Sequence, residues 1–159
     1  TLGLERLAAV IGAQNIYPNQ RVLVIDAGTC ITYDVINEKG AYYGGSISAG
    51  IEMRFKAMHQ FTSKLPLINF DNGFNESFGT DTPSAISSGV INGVLFEVEG
   101  FINQQLKENR DTKIILCGGN SAFFDSRFKN SIFAHLILHE PNLVLMGLNT
   151  VVNYQHDHK

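Results

Sequence analysis

The segment formed by residues 21–34, RVLVIDAGTCITYD, constrains this chain more than any other. Its apolar run, residues 22–25, ends in Asp26, and Ala27-Gly28-Thr29 separates that run from a second β-rich stretch. Glycine lets backbone amides approach a phosphate closely, and a neighbouring threonine hydroxyl can donate to a phosphate oxygen. An aspartate at a strand end can hold a cation or its waters. The segment therefore predicts a strand-turn-strand cradle for a phosphate and a metal, and the alternative is an ordinary hairpin turn.

The size and composition of the chain predict one globular domain. The 159 residues suffice for a single core, and 44% apolar with 17% charged residues is ordinary for a soluble protein. A formal net charge of -3 gives no electrostatic case for nucleic acid, and no apolar run is long enough to span a bilayer. We therefore expect neither a nucleic acid nor a membrane as a partner. The cysteines, Cys30 and Cys117, lie in apolar runs and are interpreted as buried free thiols of a reducing compartment.

Hydrophobic periodicity predicts the order of the secondary-structure elements. The predicted elements are a helix over residues 4–13, strands over 21–26, 31–37 and 41–48, a helix over 51–63, an ordered loop over 69–80, a long helix from Thr82, a strand over 113–117, a helix over 121–128, a strand over 132–138 and a helix over 141–154. Thr82 is expected to cap the long helix, with Pro83 at its first position. A β-meander that leads into βα units predicts a mixed sheet covered by helices.

Two further glycine pairs lie within or directly after predicted strands. Gly44-Gly45 lies in the third strand and predicts either a plain bulge or the close approach of a ligand. Gly118-Gly119-Asn120 follows a buried strand, where such a turn can place its backbone against a base or a ribose. Many βα turns carry two glycines without binding anything, so this pair alone does not establish a site.

Polar side chains near the N-terminus and before the long helix are candidates for chemistry. Glu5 can act as a general base, and Arg6 can clamp a carboxylate with two hydrogen bonds. The alternative is an exposed charged pair on an amphipathic helix. The hydroxyl of Thr82 can contact a substrate as well as cap its helix, because the two roles are compatible.

Together these segments resemble the type III pantothenate kinases, members of the actin, Hsp70 and sugar-kinase superfamily. The matching stretches, in family order, are GLER with LAAVIGA, IDAGTCITYDVI, GGSISAGIEMRFKAMHQFTSKLP, GTDTPSAISSGVINGV, IILCGGN and PNLVLMGLNTVVNY. The resemblance implies an α/β fold, namely an RNase H-like lobe of the actin-like ATPases. Such a lobe has a mixed sheet with a three-strand meander and flanking helices, and residues 1–159 would form it as a single domain.

The resemblance also implies an activity, the transfer of the γ-phosphoryl group of ATP to the 4'-hydroxyl of pantothenate. This reaction opens coenzyme A synthesis. Family members use Mg²⁺ and a monovalent cation, K⁺ or NH₄⁺, and are homodimers with the substrate site at the subunit interface. A cytoplasmic homodimer that binds pantothenate and ATP is the resulting expectation.

The family motifs imply roles for individual residues of this sequence. Glu5 matches the proton acceptor, Asp26 matches the ligand of the monovalent cation, and Thr29 matches a contact to ATP. The remaining implied site residues are Gly3, Leu4, Arg6 and Thr82 for the substrate and Gly28, Gly118 and Gly119 for the nucleotide.

Some features depart from the family pattern. Glu5 stands where the family has aspartate, and its extra methylene moves the carboxylate; a misplacement of ~1 Å can cost about 10²-fold in rate. Ala49 replaces a proline in the GGxIxPG block. The sequence also has no Asp-x-Gly-Asn-Thr segment, which in the family belongs to an N-terminal ATP-binding lobe.

We therefore expect residues 1–159 to be the second, C-terminal lobe of a longer protein, with little activity alone. One competing hypothesis is a non-catalytic regulatory or accessory relative that has kept the dimer surface. Another is a different kinase or phosphatase of the superfamily, against which the GLER and GTDT segments argue.

Overall fold

The computed structural model describes residues 3–157. Its elements are α1 (Leu4–Ile16), β1 (Val22–Ala27), β2 (Cys30–Ile36), β3 (Tyr42–Ala49), α2 (Ile51–Gln60), α3 (Thr82–Glu108), β4 (Lys113–Cys117), α4 (Ser121–Phe128), a 3-10 turn (Ala134–Leu136), β5 (Ile137–His139) and α5 (Leu143–Asp157). The predicted helices and the first four predicted strands are confirmed, with small shifts at their ends.

The five strands form one mixed sheet in the order β3-β2-β1-β4-β5. β1, β2 and β3 form an antiparallel meander, and β4 and β5 extend it with parallel pairings. In this register Asp26 lies between Thr32 of β2 and Cys117 of β4. The predicted fold class, a mixed sheet with a three-strand meander and flanking helices, is confirmed.

Helices cover both faces of the sheet. Leu23 and Ile25 of β1 face the larger core, which includes the buried stripe of α3, whereas Val22 and Val24 face the core formed with α1 and α5. Successive side chains of a strand point to opposite faces, so a strand buried on both sides is apolar at nearly every position. Asp26 interrupts that pattern on the α1 side, at the end of β1.

The predicted strand over residues 132–138 is mostly wrong. Residues 134–136 form a 3-10 turn, and Ile132 is 78% exposed. Only Ile137–His139 pairs with β4, opposite Ile114, Ile115 and Leu116. The apolar residues of this stretch anchor a turn, because Phe133 is buried among the helices of the larger core.

The predicted cap of the long helix is also wrong by one residue. Asp81 is the N-cap, since its carboxylate accepts a hydrogen bond from the Ser84 amide at 2.8 Å. The Ser84 hydroxyl in turn accepts from the Asp81 amide at 3.1 Å, which completes a capping box. Thr82 is therefore the first helical residue and Pro83 the second, which leaves the Thr82 hydroxyl without the expected capping role.

Helix α3 also corrects the expectation that no segment is long and apolar enough to cross a bilayer. By length and composition α3 meets that test, alone among the helices of residues 3–157. Its side chains Val94, Val98 and Ile102 are fully buried against the sheet. The core helix of a globular domain has the same composition, so this result carries no membrane assignment.

Glycine permits a close crossing of α1 and α5, whereas the glycines of α3 lie in open positions. A Cβ on Gly147 of α5 would overlap the carbonyl oxygen of Ala8, and one on Gly12 would lie 2.6 Å from the Leu143 oxygen. In α3, a Cβ on Gly89, Gly93 or Gly100 meets nothing within 4 Å in the described part of the chain. The α3 glycines therefore do not serve close packing among the described residues.

This contrast predicts opposite effects of two glycine-to-alanine changes. Gly147→Ala forces α1 and α5 apart and should lower the free energy of unfolding by about 1–3 kcal/mol. Gly100→Ala, its matched control in an open helical position, should raise it by up to about 1 kcal/mol. Urea unfolding followed by circular dichroism measures both, and equal shifts of one sign would contradict the packing described here.

Candidate active site

The turns that follow β1 and β4 lie against each other at one edge of the sheet. Gly118 has a left-handed φ of 91°. A Cβ there would overlap Asp26 Oδ1 and lie 2.6 Å from the Ala27 oxygen. The Asn120 amide donates to the same Ala27 oxygen at 2.8 Å. Parallel strands end at the same edge, so the Asp26 turn and the Gly118-Gly119 turn form one continuous surface.

The end of β3 supplies a third backbone contact to this surface. The Gly50 amide donates to the Thr29 oxygen at 3.0 Å. A Cβ on Gly50 would overlap the Gly28 oxygen, so only glycine fits beneath the Gly28-Thr29 turn. The other glycine pair of this block has a different role. Gly45 lies against the Asp34 carboxylate inside the chain, and the β2–β3 register shifts beside Gly44, as in a plain bulge.

A cleft of about 770 Å³ opens between these turns and helix α2. Gly28, Thr29, Gly119 and Asn120 form one wall, and residues of α2 form the other. Gly119 is open on the cleft side, because a Cβ there would meet nothing within 4 Å. The cleft is within the usual size range of small-molecule sites, roughly 300–1,000 Å³.

The Asp26 carboxylate lies in an unfavourable environment for its charge. Burial, and then the negative charges of Glu5 and Asp34, raise the pKa of Asp26 above its usual range. Glu5, at the start of α1, is thus close enough for its charge to act on the Asp26 carboxylate. Thr32, opposite Asp26 in the sheet, has a buried Oγ1 without a hydrogen-bond partner among residues 3–157.

This pair of oxygen donors has the chemistry that a hard cation requires. Carboxylate and hydroxyl oxygens are such ligands, and a buried hydroxyl without a partner calls for an explanation. Within the described chain no three His, Cys, Asp or Glu side chains form a metal-binding group. A cation at Asp26 would accordingly depend on neutral oxygens for most of its ligands.

Arg6 is committed largely to a buried partner within the chain. Its Nε donates to Asp34 Oδ2 at 3.0 Å and its Nη2 to Oδ1 at 2.5 Å. The Tyr42 hydroxyl also donates to Oδ1, at 2.7 Å, and the Asp34 side chain is only 1% exposed. Hydrogen bonding to Asp34 raises the pKa of the Arg6 guanidinium further above its usual value. The family motif implied that Arg6 contacts a substrate, and nothing in the sequence identified Asp34 as its partner.

A polar cluster that the sequence analysis missed supports the Gly50 contact. Glu97 of α3 accepts hydrogen bonds from Tyr33 Oη at 2.8 Å, Ser48 Oγ at 2.5 Å and Arg54 Nη2 at 2.5 Å. Arg54 Nε donates to the Ala49 oxygen at 2.8 Å, beside Gly50. The cluster thus joins β2, β3, α2 and α3. No sequence spacing indicated Glu97, because its partners lie on three separate elements.

The hydrogen bonds of this cluster determine the ionisation of Glu97. Burial alone would raise its pKa, but the hydrogen bonds from Ser48, Arg54 and Tyr33 outweigh burial and lower it. Burial and the neighbouring Glu97 raise the pKa of the Tyr33 hydroxyl, which therefore stays protonated and donates. The ionised carboxylate is the form that the folded chain favours.

The structure places Thr82 away from the other predicted site residues. Glu97 contacts Ser48, which pairs with Ile31 and so lies at the level of the end of β1. Thr82 lies 97 − 82 = 15 residues nearer the start of α3. At 1.5 Å per residue it is about 22 Å further along the helix axis. The turns of Asp26, Gly28-Thr29 and Gly118-Gly119 meet, and the charge of Glu5 acts on Asp26, whereas Thr82 does not join them within one chain.

The Glu97 cluster generates a prediction about stability and pH. Glu97→Gln removes a carboxylate that accepts three hydrogen bonds, so the free energy of unfolding should fall by about 2 kcal/mol at pH 7. A lowered folded-state pKa means that this contribution is present above the unfolded pKa, about 4.3, and is lost as the pH falls through the folded value. The difference from the wild type, measured by urea unfolding at pH 7 and pH 3, should therefore shrink in acid.

Glu99→Gln provides the matched control, because Glu99 lies on the same helix and outside this cluster. It should leave the free energy of unfolding within about 0.5 kcal/mol of the wild type at both pH values. A Glu97→Gln effect that stays constant from pH 7 to pH 3 would contradict the role of the ionised carboxylate.

Comparison with known proteins gives a consistent family. The family model described as type III pantothenate kinase matches residues 1–104. A type III pantothenate kinase of Phocaeicola vulgatus is 46% identical over 154 residues, which cover 97% of this chain and 61% of that protein. The corresponding protein of Porphyromonas gingivalis is 42% identical over 157 residues, 97% of this chain and 62% of its own length. The chain thus spans about three fifths of the length of these curated relatives.

Solved structures share the fold at low sequence identity. A protein of Campylobacter jejuni described as a Baf family transcriptional activator has a TM-score of 0.70 at 22% identity, over 98% of this chain and 66% of that one. MreB5 of Spiroplasma citri, solved with ADP, has a TM-score of 0.53 at 16% identity, over 94% of this chain and 58% of that one. These likenesses show the actin-like ATPase fold and nothing about activity.

Proposed function

Because this chain belongs to the type III pantothenate kinase family, we propose that the complete protein transfers the γ-phosphoryl group of ATP to the 4'-hydroxyl of pantothenate. That reaction is the opening step of coenzyme A synthesis. The observation that carries the proposal is the meeting of three glycine turns at the end of β1, beside Asp26, on whose carboxylate the charge of Glu5 acts. Phosphoryl transfer depends mostly on positioning and charge stabilisation, which such an arrangement supplies.

We assign the phosphate end of ATP to the Gly28-Thr29 turn. Both residues border the cleft, and the contact with Gly50 holds their backbone in place. Gly118 lies against Asp26 and Ala27, directly before this turn, and the backbone of Gly119 is open to the nucleotide. Mg²⁺ would arrive with the phosphates, because it keeps several waters and rarely depends on protein ligands alone.

The monovalent cation is assigned to Asp26, with the orphaned Thr32 Oγ1 as a second oxygen donor. The raised pKa of Asp26 shows that its charge lacks compensation within the chain, and a bound K⁺ or NH₄⁺ would supply it. When bound, such a cation would offset the negative charges of the carboxylates and phosphates at this edge of the sheet.

Pantothenate is assigned to the start of α1. Glu5 is exposed there and takes the proton from the 4'-hydroxyl, while Gly3 and Leu4 lie beside it on the same exposed turn. Arg6 donates Nε and Nη2 to Asp34, which fixes the orientation of this turn. Its role in binding is therefore to orient the turn and to contribute its positive charge. The free thiols Cys30 and Cys117 accord with a cytoplasmic location.

A homodimer would explain both the position of Thr82 and the open glycines of α3. Thr82 lies too far from Asp26 to serve the same chain, so it would complete the substrate site of a second subunit. The nearby surface of α3 carries Gly89 and Gly93 beside the exposed rings of Phe96 and Phe78, which are 68% and 86% exposed. Small residues beside large apolar ones allow the close approach of another helix.

The activity has a direct test in a coupled ADP-release assay on the product of the complete reading frame. We expect ADP release that requires pantothenate and K⁺. Glu5→Gln should lower kcat by about 10²–10⁴-fold, because it removes the proton acceptor, whereas Glu5→Asp should keep most of the activity.

Asp26→Asn separates a functional role from a structural one. Since burial and nearby charges disfavour the Asp26 carboxylate, the variant should unfold at the same or a higher temperature while its K⁺-stimulated rate falls. Binding of pantothenate or ATP without any turnover would overturn the kinase assignment in favour of a non-catalytic relative.

The dimer surface is tested by Phe96→Glu, which places a charge at the centre of the proposed contact. The molar mass from light scattering coupled to gel filtration should fall from that of a dimer to that of a monomer. Ile132→Glu is the matched control, because Ile132 is 78% exposed and lies outside that surface. An unchanged mass for Phe96→Glu would place the subunit contact elsewhere.

A further inference from the structure

One wall of the cleft is formed by α2, whose residues take no part in the proposed phosphate, cation and pantothenate sites. The cleft-lining residues of this helix recur every four positions: Glu52 and Met53, Lys56 and Ala57, Gln60 and Phe61. Residues four apart share one face of a helix. The face runs for about 14 Å at 1.5 Å per residue, starting beside the Gly28-Thr29 turn. It is therefore long enough to follow a nucleotide from its phosphates towards its base.

Glu52 is a hydrogen-bond acceptor near the phosphate end of this face. Asn120 Nδ2 donates to its Oε1 and Oε2, both at 3.2 Å, which ties α2 to the turn after β4. An ionised carboxylate has about four acceptor positions and no donor. No other hydrogen bond or ion pair to Glu52 occurs in the part of the chain described. The remaining acceptor positions suit a ligand with neighbouring hydroxyl groups, whereas the negative charge of Glu52 would repel a phosphate.

Phe61 lies at the other end of the same face. Its side chain is 81% exposed at the end of α2 and borders the cleft with the exposed Met53. An exposed aromatic ring at the border of a cleft suits the stacking of a planar heterocycle.

We propose that α2 is the nucleoside-recognition wall of the cleft. Glu52 accepts hydrogen bonds from the 2'- and 3'-hydroxyls of a ribose, and Phe61 stacks on the base. The protein accordingly discriminates ribonucleotides from their deoxy analogues through Glu52. This inference depends on the proposed function only for the identity of the nucleotide as ATP.

The test is calorimetric titration of the complete protein with ATP and with 2',3'-dideoxy-ATP, both in Mg²⁺. The wild type should bind ATP about tenfold or more tightly than the dideoxy analogue, as expected for hydroxyls that donate to a carboxylate. Glu52→Ala should reduce that ratio to below about twofold and leave the affinity for the dideoxy analogue unchanged. Glu99→Ala, a helical glutamate outside the cleft, should keep the wild-type ratio.

Phe61 tests the base platform separately. Phe61→Ala should weaken both nucleotides by about tenfold and leave their ratio unchanged, and Phe61→Tyr should restore both affinities. Equal weakening of ATP and the dideoxy analogue by Glu52→Ala would overturn the ribose assignment, because the effect of Glu52 would then not depend on the ribose hydroxyls. No effect of Phe61→Ala would overturn the stacking.

The outcome is separable from that of the kinase assay. If the protein does not phosphorylate pantothenate but Glu52→Ala loses the preference for ATP over the dideoxy analogue, the nucleoside wall is supported and the proposed function is overturned. If the protein phosphorylates pantothenate and Glu52→Ala keeps the wild-type preference for ATP over the dideoxy analogue, only the nucleoside-wall proposal is overturned.

Discussion

The close seating of three backbone turns at the end of β1 is the constraint on which the rest of the structure depends. Gly118 and Gly50 both lie where any Cβ would overlap Asp26 or the carbonyl oxygens of Ala27, Gly28 and Thr29. The parallel pairing of β1 with β4 brings the Gly118 turn to this edge, and the meander brings Gly50. Helices on both faces fix the sheet, so the turns stay in contact without a ligand. The three turns thus form one closely packed backbone surface, to which we assign the phosphates.

Charge at this edge is balanced for one carboxylate and left unbalanced for the other. Asp34 is buried and holds Arg6 with two donors, together with the Tyr42 hydroxyl. Among the described residues Asp26 has no such partner, and its pKa is raised by burial and by its acidic neighbours. An unpaired, partly buried carboxylate lowers stability. The proposed cation at Asp26 and the orphaned Thr32 hydroxyl would offset that cost.

The sequence predicted what local pattern determines and missed what three-dimensional contact determines. The apolar run of β1 and the buried apolar face of α3 follow directly from burial, and both are present. The capping residue was misplaced by one, because Asp81 and Thr82 both suit an N-cap and only the Ser84 side chain decides between them. Glu97 could not be found, since its partners are far apart in sequence, and neither could the distance of Thr82 from the turns. That distance depends on how far α3 projects beyond the sheet.

Helix α3 connects the phosphate edge with the proposed subunit surface. Glu97 points into the polar cluster that holds the Ala49–Gly50 backbone, and its neighbour Phe96 is exposed beside Gly93. Each open glycine of α3 costs about 1 kcal/mol relative to alanine, and no described residue packs within 4 Å of where its Cβ would lie. Close packing against a second subunit would offset that cost. Because a single helical turn carries both Phe96 and Glu97, contact between subunits would also fix the cluster beneath the Gly28-Thr29 turn. The proposed subunit contact would therefore be linked to the Gly28-Thr29 turn through Glu97 and Arg54.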